Sequence, residues 1–270
     1  MGRRLPSFAL IVVAVATALA ATVTPASTAA IGPPRDGRWV PARGVTWQWQ
    51  LSGRADLNYS GAVFDLDVDE TPAATVARLH DMGRHVICYI DVGTWESYRA
   101  DATKFPKRLL GKAVDGWSNE RWLDIRHIST LAPILRARFD RCRAKRFDAS
   151  EPDWLDAYDQ VTGFRITKAD SIRFDKWVAA EAHKRGLSIA QKNAPGLVRA
   201  LRGSFDFALV EECFQYKECG SFAAYLRDGV AVLDAEYALA PSAFCASARR
   251  YGISAIRKRL ALDAWRRTCP

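Results

Sequence analysis

Two short acidic stretches hold the residues best suited to do chemistry: Phe147-Asp148-Ala149-Ser150-Glu151-Pro152-Asp153 and Phe207-Ala208-Leu209-Val210-Glu211-Glu212-Cys213. Each begins as a short apolar strand and runs out into carboxylates. Strand period two puts Glu151 and Asp153 on one face of the first stretch. In the second, Glu211 shares a face with Phe207 and Leu209, and Glu212 takes the other. At the carboxyl end of a barrel of parallel strands, side chains so placed converge on one cleft. Two carboxylates facing each other across a cleft are the minimum equipment for breaking a glycosidic bond.

The elements that must carry these groups follow a regular pattern. Strands are predicted over 45–51, 62–67, 85–91, the two acidic stretches, 187–193, 230–236 and 253–258. Helices are predicted between most of them. Thr71 and Pro72 open one that Gly83 stops, another runs from Ser129 to about Lys145, a third from Asp170 to Arg185 before Gly186, and a last one from Pro241 to Tyr251. A long loop is expected from Ser97 to Ile128, and a loop of that length inside a compact domain is usually functional. Eight strands in strict alternation with helices or loops predict an α/β fold, a single-domain (β/α)8 TIM barrel. An open doubly wound sheet would want a phosphate-cradling glycine loop after its first strand, and none is present.

Polar groups end the other strands too. Asp65 and Asp67 lie two apart at the end of the second, Asp91 ends the third, Lys192 and Asn193 the fifth, and Glu236 the seventh. Aromatic residues gather at or beside the same ends: Trp47, Tyr89, Trp95, Trp154, Tyr158, Phe214 and Tyr216. Flat apolar faces there suit stacking on pyranose rings, with Trp95 and Trp154 expected to be exposed. The four histidines, His80, His85, His127 and His183, fall on helices or at a strand start, away from that end. No metal site or cofactor is therefore expected, and no P-loop, nucleophile elbow or Cys-x-x-Cys motif occurs.

The chain has 270 residues and a formal charge of +9. Arg3 and Arg4 precede an apolar run from Phe8 to Ala21 and a Thr28-Ala29-Ala30 cleavage site, so residues 1–30 read as a secretory signal peptide. The run of about 14 residues falls short of the ~20 that span a bilayer. Residues 31–39 read as a flexible lead-in and 40–270 as the barrel. The expected protein is secreted, monomeric and free of the membrane after cleavage. Export permits disulfides. Cys213 and Cys219 bracket a short loop, and Cys245 and Cys269 could staple the tail, while Cys88 in a strand and Cys142 in a helix read as buried free thiols. Loss of Arg3 and Arg4 leaves about +7. The basic residues are spread along helices and the tail without a recognition motif, which argues against nucleic acid as a partner.

A set of short motifs in order resembles a known family. They are Trp47-Gln-Trp-Gln-Leu-Ser52, Val63-Phe-Asp-Leu-Asp67, Gly93-Thr-Trp-Glu96, Arg121-Trp-Leu-Asp-Ile125, Glu151-Pro-Asp153, Lys192-Asn193, Glu211 with Cys213-Phe214, and Glu236-Tyr237. From about Val40 to its end the chain resembles glycoside hydrolase family 114, the endo-α-1,4-polygalactosaminidase group. That resemblance implies a (β/α)8 barrel that cuts internal α-1,4 linkages of a galactosamine-containing polysaccharide without a cofactor. It also implies a catalytic pair after the fourth and sixth strands, here Asp153 and Glu211. The family usually has Asn where Trp154 stands and Asn-Glu-Gln where Val210-Glu-Glu212 stands. On this basis Glu211 is expected to be the acid, its pKa raised by neighbouring carboxylates, and Asp153 its anionic partner. Asp65, Asp67, Asp91, Glu151 and Glu236 are expected to bind sugar, with Lys192 and Asn193 beside them and Tyr89, Trp95 and Trp154 as aromatic contacts. Because a galactosamine polymer is a polycation, the cleft should be acidic within a basic body. A non-hydrolytic carbohydrate-binding barrel and a metal-dependent hydrolase are the alternatives.

Overall fold

The structure, a computed structural model, describes residues 36–269. Eight short strands form its centre: β1 (Trp47–Gln50), β2 (Val63–Asp67), β3 (His85–Asp91), β4 (Ala149–Asp153), β5 (Ser188–Lys192), β6 (Phe207–Glu211), β7 (Val232–Glu236) and β8 (Ser254–Arg257). They pair in chain order and all in parallel. Nearly every residue in them is buried, as expected of strands covered on both faces. The seam between β8 and β1 is joined through side chains. Trp47 Nε1 donates to Ser254 O at 2.7 Å and Lys258 Nζ to Gln48 Oε1 at 3.1 Å. A terminal strand, Arg267–Thr268, adds antiparallel to β8. The result is the TIM-barrel architecture that the alternating pattern predicts.

Helices α1 (Ala73–Asp81), α2 (Ile128–Ala144), α3 (Lys168–His183), α4 (Val198–Leu201), α5 (Ala223–Arg227) and α6 (Pro241–Tyr251) connect the strands outside the barrel. Their limits follow local chemistry. Thr167 and Asp170 form a reciprocal capping box at the start of α3. Pro241 opens α6, and Gly252 ends it in the left-handed conformation, φ 75°. None of the described helices is long and apolar enough to cross a membrane.

Two expectations are corrected. The stretch from Ser97 to Ile128 is not a structureless loop. Its strands Leu110–Val114 and Trp117–Leu123 pair antiparallel with each other, and the second also pairs with Thr94–Glu96. Asp115-Gly116 makes the tight turn, with Gly116 at φ 78°, and Asp-Gly is a strong hairpin signal that the run of Trp, Gly and Pro obscures. Nor are Cys88 and Cys142 free thiols. They form a disulfide between β3 and α2, with Cα atoms 5.9 Å apart. Alternation turns Cys88 outward from the barrel, opposite to Tyr89, toward the covering helix. The bridges Cys213–Cys219 and Cys245–Cys269 are both present.

The signal peptide expected over 1–30 lies outside the described residues. Of the expected lead-in, Arg38 pairs with Asp206 at 3.5 Å and Trp39 stacks on His85 at 4.2 Å. Packing against the barrel thus begins before Val40.

Candidate active site

A cavity of ≈ 680 Å³ opens at the carboxyl end of the strands. Trp49 from β1, Asp67 from β2, Tyr89 from β3, Asp153 from β4, Lys192 from β5 and Glu211 from β6 all reach it. The period-two strands aim these side chains inward, and the antiparallel sheet adds one wall through Trp117 and Glu120. Five carboxylates line the cavity (Asp67, Glu120, Asp153, Glu211 and Glu212) against the two cations Arg99 and Lys192. The mouth is acidic although the protein as a whole is basic.

Lys192 organises the centre. Its ammonium lies 2.9 Å from Glu151 Oε1, 2.8 Å from Asp153 Oδ1 and 3.2 Å from Glu211 Oε2, and 4.8 Å from the Trp49 ring centre. Burial alone would lower its pKa, but Asp153, Glu151 and Glu211 outweigh burial and push it well up. Because Asp153 and Glu211 share one ammonium, the oxygens that contact it are no more than about 6 Å apart, a limit that admits the spacing of carboxyl pairs in retaining glycosidases.

Each member of the pair is held by further donors. Asp153 accepts from the Tyr89 hydroxyl at 3.0 Å and from the Trp154 amide at 2.9 Å. Trp154 sits in the left-handed region at φ 63°, an uncommon state for a bulky residue that tight surroundings must enforce. Gly93 permits this turn, since a Cβ there would lie 2.0 Å from Trp154 O. On the other side, Asn193 Nδ2 donates to Glu211 Oε2 at 3.0 Å, and Asn193 Oδ1 accepts from the Glu211 amide at 2.8 Å. Asn193 is itself left-handed, φ 43°, which asparagine tolerates better than most residues. Tyr237 donates its hydroxyl to Glu211 Oε1.

The expectation of a raised Glu211 pKa is overturned for the free protein. Burial raises it, but Lys192 and the hydrogen bonds from Tyr237, Asn193 and Lys192 outweigh burial and lower it. The raised groups stand nearby. Glu151, with its Oε2 on Trp49 Nε1 at 3.1 Å, is pushed up to about 7 by burial, with Lys192 opposing and Asp153 adding. Asp65 is pushed well up by burial and by Glu151. Glu120 rises to about 7 through burial, with Glu96 and Asp153 adding.

Of the expected sugar-binding residues, Asp67, Tyr89, Trp154, Lys192 and Asn193 line the cavity. Asp65 and Glu151 are fully buried and do not line it; Glu151 lies against Lys192. The others serve neighbouring backbone. Asp91 caps the Thr94 amide at 2.8 Å, and Trp95 Nε1, expected at the surface, donates to Ala102 O at 3.0 Å. Glu236 accepts from the Phe214 amide at 2.8 Å and so holds the loop after Glu211. Asp67 is already bound by Arg99 at 2.7 Å. Sequence reasoning misses Trp49, Tyr98, Arg99, Glu120 and Tyr237. Trp49 alone carries a usable signal, being two residues beyond Trp47 on the same strand face.

A parallel barrel whose carboxyl-end cavity holds two neighbouring carboxylates is compatible with cleavage of a glycosidic bond. Glycoside-hydrolase family GH114 matches residues 28–270, and the chain belongs to that family. Ega3 of Aspergillus fumigatus, solved in complex with galactosamine, is 33% identical, with a TM-score of 0.82 over 86% of this chain and 97% of that one. The glycoside hydrolase domain of PelA from Pseudomonas aeruginosa is 19% identical, with a TM-score of 0.68 over 83% and 98% of the two chains. The α-galactosidase of Thermus thermophilus shares the fold at 15% identity and TM-score 0.51, over 81% and 58%. No curated protein matches the chain.

Proposed function

We propose that this glycoside hydrolase cuts internal α-1,4 linkages of a galactosamine-containing polysaccharide with Asp153 and Glu211. The observation that carries the pair is their common contact with Lys192, at 2.8 and 3.2 Å. The substrate class rests on the acidic cavity, which suits a cationic amino-sugar polymer, and on the likeness to a protein solved with galactosamine. An open cavity lined along its rim by Tyr98, Trp117 and Tyr216 suits a chain entering and leaving on both sides. Export as a monomer is part of the same proposal, and three disulfides fit an oxidising compartment.

In the first step Asp153 attacks the anomeric carbon while Glu211 gives its proton to the departing oxygen. The bond between anomeric carbon and leaving oxygen breaks as the glycosyl–aspartate ester forms. Esterification removes the charge of Asp153. Lys192 is then left with Glu151 and Glu211, which favours Glu211 as a carboxylate. In the second step that carboxylate takes a proton from water, and the water oxygen displaces Asp153 from the sugar. Lys192, Tyr89 and Asn193 keep the two carboxylates in place throughout.

The wild-type protein should release new reducing ends from purified α-1,4-galactosamine polymer, appearing first as oligomers. Glu211→Gln should lower that rate by about 10³-fold or more. Release of equal amounts by the variant would remove Glu211 from the mechanism.

Activity should also depend on pH. Glu211 must carry a proton to act as acid, and its pKa in the free protein is lowered, so kcat/KM should fall as pH rises across the acidic range. Tyr237→Phe removes a hydrogen bond that favours the ionised form, and the descending limb should move to higher pH. A limb that stays put, or moves down, would mean that another group sets it.

A further inference from the structure

A second cavity, ≈ 630 Å³, opens at the amino end of the barrel, between the carboxyl ends of α1, α2 and α3 and the starts of β3, β4 and β5. It is strongly basic: Arg84, Arg143, Arg146 and Arg185 line it against the single carboxylate Asp148. Asp148 does not explain them. It lies against His80 at 2.9 Å and His85 at 3.5 Å and accepts the Val86 amide at 2.7 Å, and among the described residues no arginine pairs with it. Arg185 is committed to Asp140 at 2.7 Å and to Glu181 at 3.0 Å. The other three arginines have no ion pair among the described residues. Arg84 donates to Leu57 O at 2.9 Å and Arg143 to Arg185 O, while the Arg146 side chain has no partner among them.

Arg146 also stands where glycine would be the easier residue. Three helices end here with the same two closing hydrogen bonds. After α1, the Gly83 amide donates to His80 O at 2.8 Å and the Arg84 amide to Leu79 O at 3.0 Å. After α3, Gly186 donates to His183 O at 2.9 Å and Leu187 to Ala182 O at 3.2 Å. After α2, Arg146 donates to Arg143 O at 2.9 Å and Phe147 to Cys142 O at 3.1 Å. The turn requires a left-handed residue, and φ is 71° at Gly83, 74° at Gly186 and 66° at Arg146. Glycine meets that requirement freely at two ends, and at the third an arginine meets it at a cost. Cations complement the dipole of a helix carboxyl end, which accounts for Arg143 in the last turn of α2 without calling for Arg146 beyond it. We infer that this cavity is a binding site for a phosphate group, with Arg84, Arg143 and Arg146 as its donors. Guanidinium forks match a tetrahedral ion with several oxygens and more than one charge, and a carboxylate offers only two oxygens and one charge. The site lies at the opposite end of the barrel from the acidic cavity, so a phosphate-bearing polymer held there leaves that mouth open.

Inorganic phosphate and acetate, titrated calorimetrically into the protein at one fixed ionic strength, test this. Phosphate should bind and acetate should not. Arg146→Gly should weaken phosphate binding by about 10- to 100-fold. The same variant should raise the Tm measured without phosphate, because glycine relaxes the left-handed turn. A structural role alone would lower Tm and leave the affinity where it was, which overturns the inference. Arg84→Gln, which leaves the turn after α2 untouched, should weaken phosphate by about 10-fold. Arg108→Gln removes an exposed cation outside the cavity and should leave the affinity unchanged. Phosphate that binds no better than acetate overturns the inference, as does a loss in Arg108→Gln equal to that in Arg146→Gly. A short polyphosphate that binds more tightly than inorganic phosphate identifies polymer-borne phosphate as the ligand, and equal affinity identifies the free ion; either supports the site.

Discussion

Asp153→Asn is expected to lower kcat on galactosamine polymer by about 10⁴-fold while leaving oligosaccharide binding within a few-fold. The amide keeps an oxygen for the Lys192 ammonium and the Trp154 amide, which lie 2.8 and 2.9 Å from Asp153 Oδ1, so the wall around it should stand. What it loses is the negative charge that attacks, or screens, an anomeric carbon becoming positive. Tyr89 reaches Asp153 Oδ2 at 3.0 Å, and its hydroxyl would then face an amide group, a second and smaller loss. Single-turnover rates alongside binding measured by calorimetry separate the two. A variant that retains more than about a tenth of wild-type kcat would show that the reaction does not pass through Asp153.

Lys192→Met is expected to cost both stability and activity. The ammonium is 2% exposed and spends its three donors on three carboxylates. Without it, Glu151 is left buried beside Asp65 and Asp153 with no cation, a change that typically destabilises by about 3–5 kcal/mol. The sign with pH is fixed. Carboxylates that have lost their cation relax by taking up protons, so the deficit should be largest at pH 8 and should shrink by pH 5. Urea denaturation of wild type and variant at the two pH values measures it. A deficit that is the same at both would show that methionine disturbs packing and not charge. Activity should fall by at least about 10³-fold at either pH, because Asp153 and Glu211 lose the group that holds them to one linkage.

The barrel is legible because its strands are apolar runs that break into polar groups at one end, with glycine or proline punctuation between them. Asp153, Glu211, Lys192 and Asn193 are legible for the same reason, since period two settles which side chains look inward. The pattern does not separate an inward carboxylate that meets solvent from one that does not. Asp91 and Glu236 end strands just as Asp153 does, yet they cap the backbone of the next loop. Glu151 shares a face with Asp153 but lies one layer lower, sealed under Lys192.

Counting acidic neighbours along the sequence gives the wrong direction for the Glu211 shift. The deciding groups, Lys192, Asn193 and Tyr237, come from two other strand ends and act through distance. Glu120 is invisible for a different reason. It stands in a hairpin whose Asp115-Gly116 turn is hidden in an irregular stretch. Cys88 and Cys142 mislead because each sits in an apolar setting where a free thiol would also be at home.

The most direct test of the paired carboxylates is the configuration of the first sugar released. Proton NMR of wild type acting on α-1,4-galactosamine oligomers, recorded before mutarotation, should show the α-anomer at the new reducing end. That result requires two displacements and a nucleophile within about 5–5.5 Å of the acid, as sharing Lys192 allows. A β-anomer appearing first would mean that water attacks directly, and would contradict Asp153 as the nucleophile.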